Sequence, residues 1–241
     1  NTITTWKRPV RIRTRGKTKN TKTAYTHMDH KYNIDYYEDG IKKNLSGYEN
    51  YRYIPMRTIP EARTIIDRIP FNTAMDFGAA KGFLVHALNL LGKYTYGYDI
   101  SEYAVSNCMP QVKDKMKLIR DVSEIDVADM QDLVIAKDVL EHLPEEEIRR
   151  VLSRFAAHCH TLFVVVPLGE NGHYRIPFYD RDVTHVIREN EEWWINIIKD
   201  CRFNIKSFDY EFGNIKSRWY AEEYKYGNAF IVATTARNRT K

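Results

Sequence analysis

The ten residues Thr73-Ala74-Met75-Asp76-Phe77-Gly78-Ala79-Ala80-Lys81-Gly82 constrain the fold more than any other stretch. An apolar run reaches an acid, passes two glycines four residues apart, and continues into Phe83-Leu84-Val85-His86-Ala87-Leu88-Asn89-Leu90-Leu91. The apolar positions of that second part recur at spacings of three and four, which predicts an amphipathic helix. Strand, tight turn and helix form the opening unit of a nucleotide-binding α/β domain. Glycine suits the turn because a backbone without Cβ takes positive φ and lets a ligand approach closely. Residues 94–98 predict the next strand, which ends on Asp99, seventeen residues past Gly82. A carboxylate at that distance is placed to meet ribose hydroxyls. The glycines alone are equally those of an ordinary strand-to-helix turn. They are neither the three-glycine dinucleotide fingerprint nor a phosphate loop, since no Gly-Lys-Ser/Thr follows.

The chain beyond this unit alternates strand and helix. A helix over 60–69, with Pro60 in its first turn, leads into the first strand. Ser101 is placed to cap a helix over 102–107, which Pro110 ends. Residues 116–119 predict a short third strand, followed by Asp121. The apolar run 132–136 suits a central parallel strand buried on both faces, with Lys137-Asp138 at its carboxyl end. The segment Asp138-Val139-Leu140-Glu141-His142-Leu143-Pro144 comes next, then a helix from Pro144 to about His158 with three acids in its first turn. A fifth strand spans 161–167. The loop 168–190 carries His173, Asp180, Asp182 and His185 and is too long to be a plain connection. A helix over 191–200 follows, and strands over 203–208 and 229–235 flank an aromatic, charged insertion at 211–226 that could wall a pocket.

An acid, an apolar residue and Gly-x-x-x-Gly, then Asp99, then Asp138 to Leu143, together resemble the class I S-adenosylmethionine-dependent methyltransferases. The likeness covers about residues 30 to 235. It implies a three-layer α/β sandwich, a Rossmann-like seven-stranded mostly parallel sheet with an antiparallel last strand. It also implies S-adenosylmethionine as cofactor and S-adenosylhomocysteine as product. By that resemblance Asp76, Gly78, Ala79 and Gly82 shape the methionine and ribose site, and Lys81 and Phe83 border it. Asp99 holds the ribose hydroxyls with Ile100 beside the adenine, Asp121 and Val122 read the adenine edge, and Lys137 and Asp138 face the methionine end. A charged Lys81 departs from the small residues usual there; its head is expected in water.

The tyrosine-rich segment around His30 to Gly40 resembles the N-terminal cap of small-molecule methyltransferases, which folds over cofactor and substrate. Tyr179 to Val186 with Trp193-Trp194 resembles enzymes that methylate sugars or small metabolites, in which a histidine stands near the transferred methyl. This makes His185 the candidate general base, since neutral imidazole takes a proton near working pH. His142 is a second candidate, with a structural role in its loop preferred. The histidine and aspartate spacings match no standard metal loop, so no metal is assigned.

At 241 residues the chain suits one domain: a cap and lead-in helix at 25–70, a catalytic domain at 71–236 and a tail at 237–241. The net charge of +5 is uneven. Residues 1–22 hold eight of the 37 basic residues and no acid, leaving 29 against 32 acids in the remainder. The basic arm, 1–24, is either a solvated tail or a phosphate-binding arm. Three scattered cysteines give no disulfide framework, and no apolar run has membrane-spanning length, so a cytoplasmic protein is expected. The preferred acceptor is a hydroxyl or amine of a small molecule. The alternatives are a nucleic-acid methyltransferase using the arm, a protein methyltransferase, and a non-catalytic cofactor-binding subunit. No Asn/Asp-Pro-Pro-Tyr/Phe or Pro-Cys motif supports the nucleic-acid reading.

Overall fold

Alternation along the central strands sets the layers. The computed structural model describes residues 31–125 and 130–235; the basic arm, residues 25–30 of the cap and the tail lie outside them. In β4 (Gln131–Lys137), Leu133 and Ile135 pack on one face with α2 (Pro55–Arg68) and α3 (Phe83–Leu90). Val134 and Ala136 pack on the other with α5 (Glu145–His158) and α6 (Glu191–Asp200). The same split divides Phe163 and Val165 from Leu162, Val164 and Val166 in β5 (Cys159–Pro167). A strand whose side chains alternate between two covered faces must be apolar, as Leu133 to Ala136 are, while Asp132 before them accepts from the N–H groups of Asn72 and Thr73.

The sheet has the order β3-β2-β1-β4-β5-β9-β8, with β1 at Thr73–Phe77, β2 at Tyr94–Asp99 and β3 at Met116–Leu118. These strands and β4 and β5 are mutually parallel. β8 (Phe203–Asp209) takes the edge, and β9 (Asn228–Thr235) inserts antiparallel between it and β5. The expected fold class is therefore the observed one.

The first helix of the lead-in differs from expectation. α2 begins at Pro55, which takes the first-turn position, and Pro60 lies inside it. Pro60 removes one bond to the Met56 carbonyl, but Met56 is 91% exposed, so water can replace that bond. Ahead of α2 lies α1 (Ile34–Glu38), capped by the Asn33 side chain accepting from the Tyr36 N–H. The loop 168–190 holds a two-stranded ribbon, β6 (Gly169–Glu170) and β7 (His173–Tyr174), and a 3-10 turn at Pro177–Arg181.

Candidate active site

β1 connects outward to β2, whereas β4 lies on the other side of β1. Strand order reverses here, and the carboxyl ends of β1 and β4 open a crevice, the usual ligand position in open α/β sheets. The glycine turn forms one lip. Gly78 and Gly82 have φ of 78° and 73°, and a Cβ on Gly78 would lie 2.5 Å from Val139 Cγ2. Ala80 shares the left-handed conformation, φ 49°. The Asp99 carboxylate ties this turn to β2 by accepting from the N–H of Ala80 at 2.7 Å and of Ser101 at 2.8 Å. Burial raises the Asp99 pKa, against these hydrogen bonds. The crevice is lined by Gly78, Ala80, Asp99, Ile100, Val122 and Asp138 among others. Asp76 lies just behind it, where burial raises its pKa to about 7.

The tyrosine segment covers the crevice. Tyr32, Tyr36, Tyr37 and Tyr48 line it from above, meeting mostly edge to face at 5.0 to 5.7 Å. Three polar ties hold this cap. Ser101 Oγ donates to the Tyr32 carbonyl, Ser46 Oγ to the Tyr36 carbonyl at 2.6 Å, and Tyr36 Oη to Asp182 Oδ2 at 2.7 Å. The Lys81 ammonium pairs with Glu38, donates to the Tyr51 carbonyl at 3.0 Å and faces the Tyr103 ring at 5.3 Å. Tyr103 Oη also donates to Glu38. Burial pushes the Glu38 carboxyl up, but these donors bring it below its ordinary value.

A second cavity adjoins the first, sharing Tyr48, Asp138 and His142 as wall. Its floor is charged. Asp138, at φ 56°, accepts from Lys137 at 2.9 Å and is ion-paired with Lys216 of the 211–226 insertion. Burial opposes its ionisation, yet the two ammonium groups hold its carboxyl well below the usual range. Glu141 is buried, and burial followed by the nearby Asp138 charge raises it to about 8.

Two histidines in the wall of this cavity, His142 and His185, meet edge to face, ring centroids 4.5 Å apart. His185 Nδ1 lies 3.0 Å from the Tyr179 carbonyl, which can only accept, so Nδ1 carries the proton and Nε2 is bare. His142 Nδ1 lies 2.7 Å from Thr184 Oγ1. Thr184 spends its one hydroxyl hydrogen on Asp182 Oδ1 at 2.5 Å, so it accepts from His142, whose Nε2 is also bare. Burial lowers both pKa values, that of His142 to about 4 with the neighbouring imidazole adding to the effect. Both rings are neutral at pH 7. Main-chain bonds from Val186 and Ile187 to the Glu141 carbonyl, at 2.9 and 3.1 Å, join the two segments.

A family profile described as "Methyltransferase domain" matches residues 75–160, which span the glycine turn, Asp99 and the Asp138–Leu143 segment. Over residues 75–160 the chain carries a methyltransferase domain, and its resemblance to the class I S-adenosylmethionine-dependent methyltransferases stands. Solved structures share its fold. A S-adenosylmethionine-dependent methyltransferase from Archaeoglobus fulgidus aligns with TM-score 0.59 at 14% identity, over 76% of this chain and 95% of its own. Magnesium protoporphyrin IX methyltransferase from Synechocystis PCC 6803, solved with bound S-adenosylhomocysteine, aligns with TM-score 0.58 at 17% identity, over 88% and 99%. A S-adenosylmethionine-dependent methyltransferase from Clostridium acetobutylicum gives 0.55 at 14% identity, over 88% and 99%. No curated protein matches the chain in sequence.

The methyltransferase domain places the expected site residues unequally. Gly78, Asp99, Ile100, Val122 and Asp138 line the first cavity, and Lys137 lines the second. Ala79 and Gly82 are the turn's packed interior, a Cβ on Gly82 meeting Met116 Sδ at 2.8 Å. Phe83 faces the cap, 5.0 Å from the Tyr51 ring. Lys81 corrects the expectation of a head in water, because Glu38 and the Tyr51 carbonyl offer a buried ammonium its acceptors. Asp121 turns its carboxylate to Arg150 and the Ser123 N–H, outside the cavity lining. His173 is a surface residue 3.6 Å from Asp180, away from both cavities. Glu38 and Lys216 were missed, and Glu141, Asp182 and Thr184 stood inside the recognised segments 138–144 and 179–186 without a catalytic or binding role. Glu38 and Lys216 acquire theirs through partners distant in sequence. Among the described residues, no helix is long and apolar enough to cross a membrane.

Proposed function

We propose that this chain transfers the methyl group of S-adenosylmethionine to a hydroxyl of a small molecule held in the second cavity. The observation that carries this reading is the shared wall of Tyr48, Asp138 and His142, by which the second cavity adjoins the first. The sulfonium carbon is already electrophilic, so the protein's task is alignment and exclusion of water. Asp99 keeps lone pairs for the ribose hydroxyls beyond the two backbone N–H groups it accepts, and Ile100 and Val122 flank the adenine. Asp121 reaches the adenine edge only by leaving Arg150. Asp76, Gly78, Ala79 and Gly82 frame the methionine end, with Lys137 and Asp138 facing it. The tyrosine cap closes over both ligands.

The two bare imidazole nitrogens act on the acceptor hydroxyl. In the ion-free protein His185 Nε2 receives its proton, while Tyr179 fixes the ring. A small-molecule acceptor is supported by the position of this cavity beside the crevice, under the tyrosine cap. It is also consistent with fold neighbours that act on small molecules, such as a mitomycin 7-O-methyltransferase, TM-score 0.56 at 16% identity.

Calorimetric titration with S-adenosylmethionine and S-adenosylhomocysteine tests the assignment. The wild-type protein is expected to bind both, and Asp99→Asn to bind each at least about tenfold more weakly, since buried charge-assisted hydrogen bonds contribute about 1.5–3 kcal/mol. A folded wild-type protein that binds neither ligand overturns the reading.

A further inference from the structure

Three electron-pair donors converge in the second cavity. The Nε2 atoms of His142 and His185 are bare, because each Nδ1–H is already given to an acceptor. The third is Glu141, 1% exposed, whose Oε2 is buried without a hydrogen-bond partner. One ligand atom from each residue lies within 4.8 Å of the others. Leaving a buried carboxyl oxygen unpaired is costly, and so is grouping acceptors with nothing to accept from.

We infer that Glu141, His142 and His185 form a binding site for a divalent transition-metal cation. Two imidazoles and one carboxylate suit a borderline ion such as Zn²⁺, Mn²⁺ or Co²⁺, whereas Mg²⁺ and Ca²⁺ favour oxygen-only sets. The surroundings have the form of a ligand-orienting shell. Tyr179 fixes the His185 ring, and Asp182 through Thr184 fixes that of His142, as second-shell partners of metal-bound histidines do. The main-chain bonds from Val186 and Ile187 to Glu141 lock the two ligand-bearing segments together. Ligand atoms about 2.0–2.2 Å from an ion stand about 3–3.5 Å apart, so small side-chain rotations complete the site.

Three protein ligands leave positions open toward the acceptor. A hydroxyl bound there loses its proton to solvent. Its oxygen then bonds to the methyl carbon as the carbon–sulfur bond breaks, the electron pair passing to sulfur to leave a neutral thioether. The role in catalysis rests on the methyltransferase reading; the binding site does not. The acceptor class it implies is a molecule with a hydroxyl able to ligate a metal.

The test is titration of the chelator-stripped full chain with Co²⁺, read by its visible absorption, with Zn²⁺ and Mg²⁺ as competitors. One equivalent is expected to bind, displaced by Zn²⁺ and not by Mg²⁺. Glu141→Gln and His185→Ala should abolish the spectrum while S-adenosylmethionine binding, measured by calorimetry on the same samples, stays intact. Thr184→Val should weaken the ion by about 10- to 100-fold. Absence of saturable Co²⁺ binding in protein that still binds S-adenosylmethionine overturns the inference, as does a spectrum unchanged in both ligand variants. Co²⁺ binding without cofactor binding would instead sustain the site and defeat the methyltransferase reading.

Discussion

Asp138 holds a left-handed backbone conformation beside both cavities. Its left-handed backbone is unfavourable for a residue with a Cβ, and it persists because Lys137 and Lys216 both bind its carboxylate. Asp138→Ala takes the shared carboxylate from two ammonium groups, leaving Lys216 with Asn228 Oδ1, and is expected to cost about 1–3 kcal/mol, measured by urea unfolding. Gly82→Ala is expected to cost about 1–3 kcal/mol in the same assay, from its positive φ and the contact with Met116. Asp76 gives a pH signature. Its folded pKa of about 7 lies above its ordinary value, so the fold binds the proton more tightly than the unfolded chain does. Stability from this group is therefore greatest at low pH, falls as pH rises from about 4 to about 7, and is flat above. Asp76→Asn, which cannot ionise, should raise the melting temperature relative to wild type at pH 8 and change it little at pH 4. An equal shift at both values would show that the carboxyl is not held up by burial.

At the scale of elements, the cap and the glycine turn are one device. α1 carries Glu38 and the turn carries Lys81, and their pair, with Tyr103 and the Tyr51 carbonyl, holds the tyrosine segment over the crevice. Lys81→Met keeps the stem and removes the ammonium, leaving Glu38 with Tyr103 alone. Faster amide hydrogen exchange is expected over 32–53, with the sheet unchanged, and weaker cofactor binding with it. Unchanged exchange in that segment would mean that aromatic packing alone holds the cap. The sequence showed the elements on each side of this device but not their connection. Tyrosines at 32, 36, 37, 48 and 51 read as a lid, whereas nothing in the spacing of Glu38 and Lys81, 43 residues apart, indicated a pair.

For the whole molecule, a ligand that fills the crevice bridges the sheet edge and the cap, and so couples local closure to global stability. At about 100 times its dissociation constant, S-adenosylhomocysteine should add about 2.7 kcal/mol, or several degrees in melting temperature. Protection should extend into the cap as well as β1 and β4. A shift confined to the sheet would mean that the cap does not close on the cofactor. The layers that support this were legible in the chain. Strand and helix periodicity, the glycine turn, Asp99 and the apolar run at 132–136 depend on neighbours a few residues away, and local sequence specifies such features directly. The ends of α2 and the partners of Lys81 and Asp121 were not legible, because they follow from exposure and from charges brought close by folding. The same holds for the acceptor cavity. The sequence determined the fold and the turn at which the cofactor is expected. Only the tertiary structure decided that Glu141, His142 and His185 meet and that Lys216 reaches Asp138, because contacts between distant residues depend on how the layers pack.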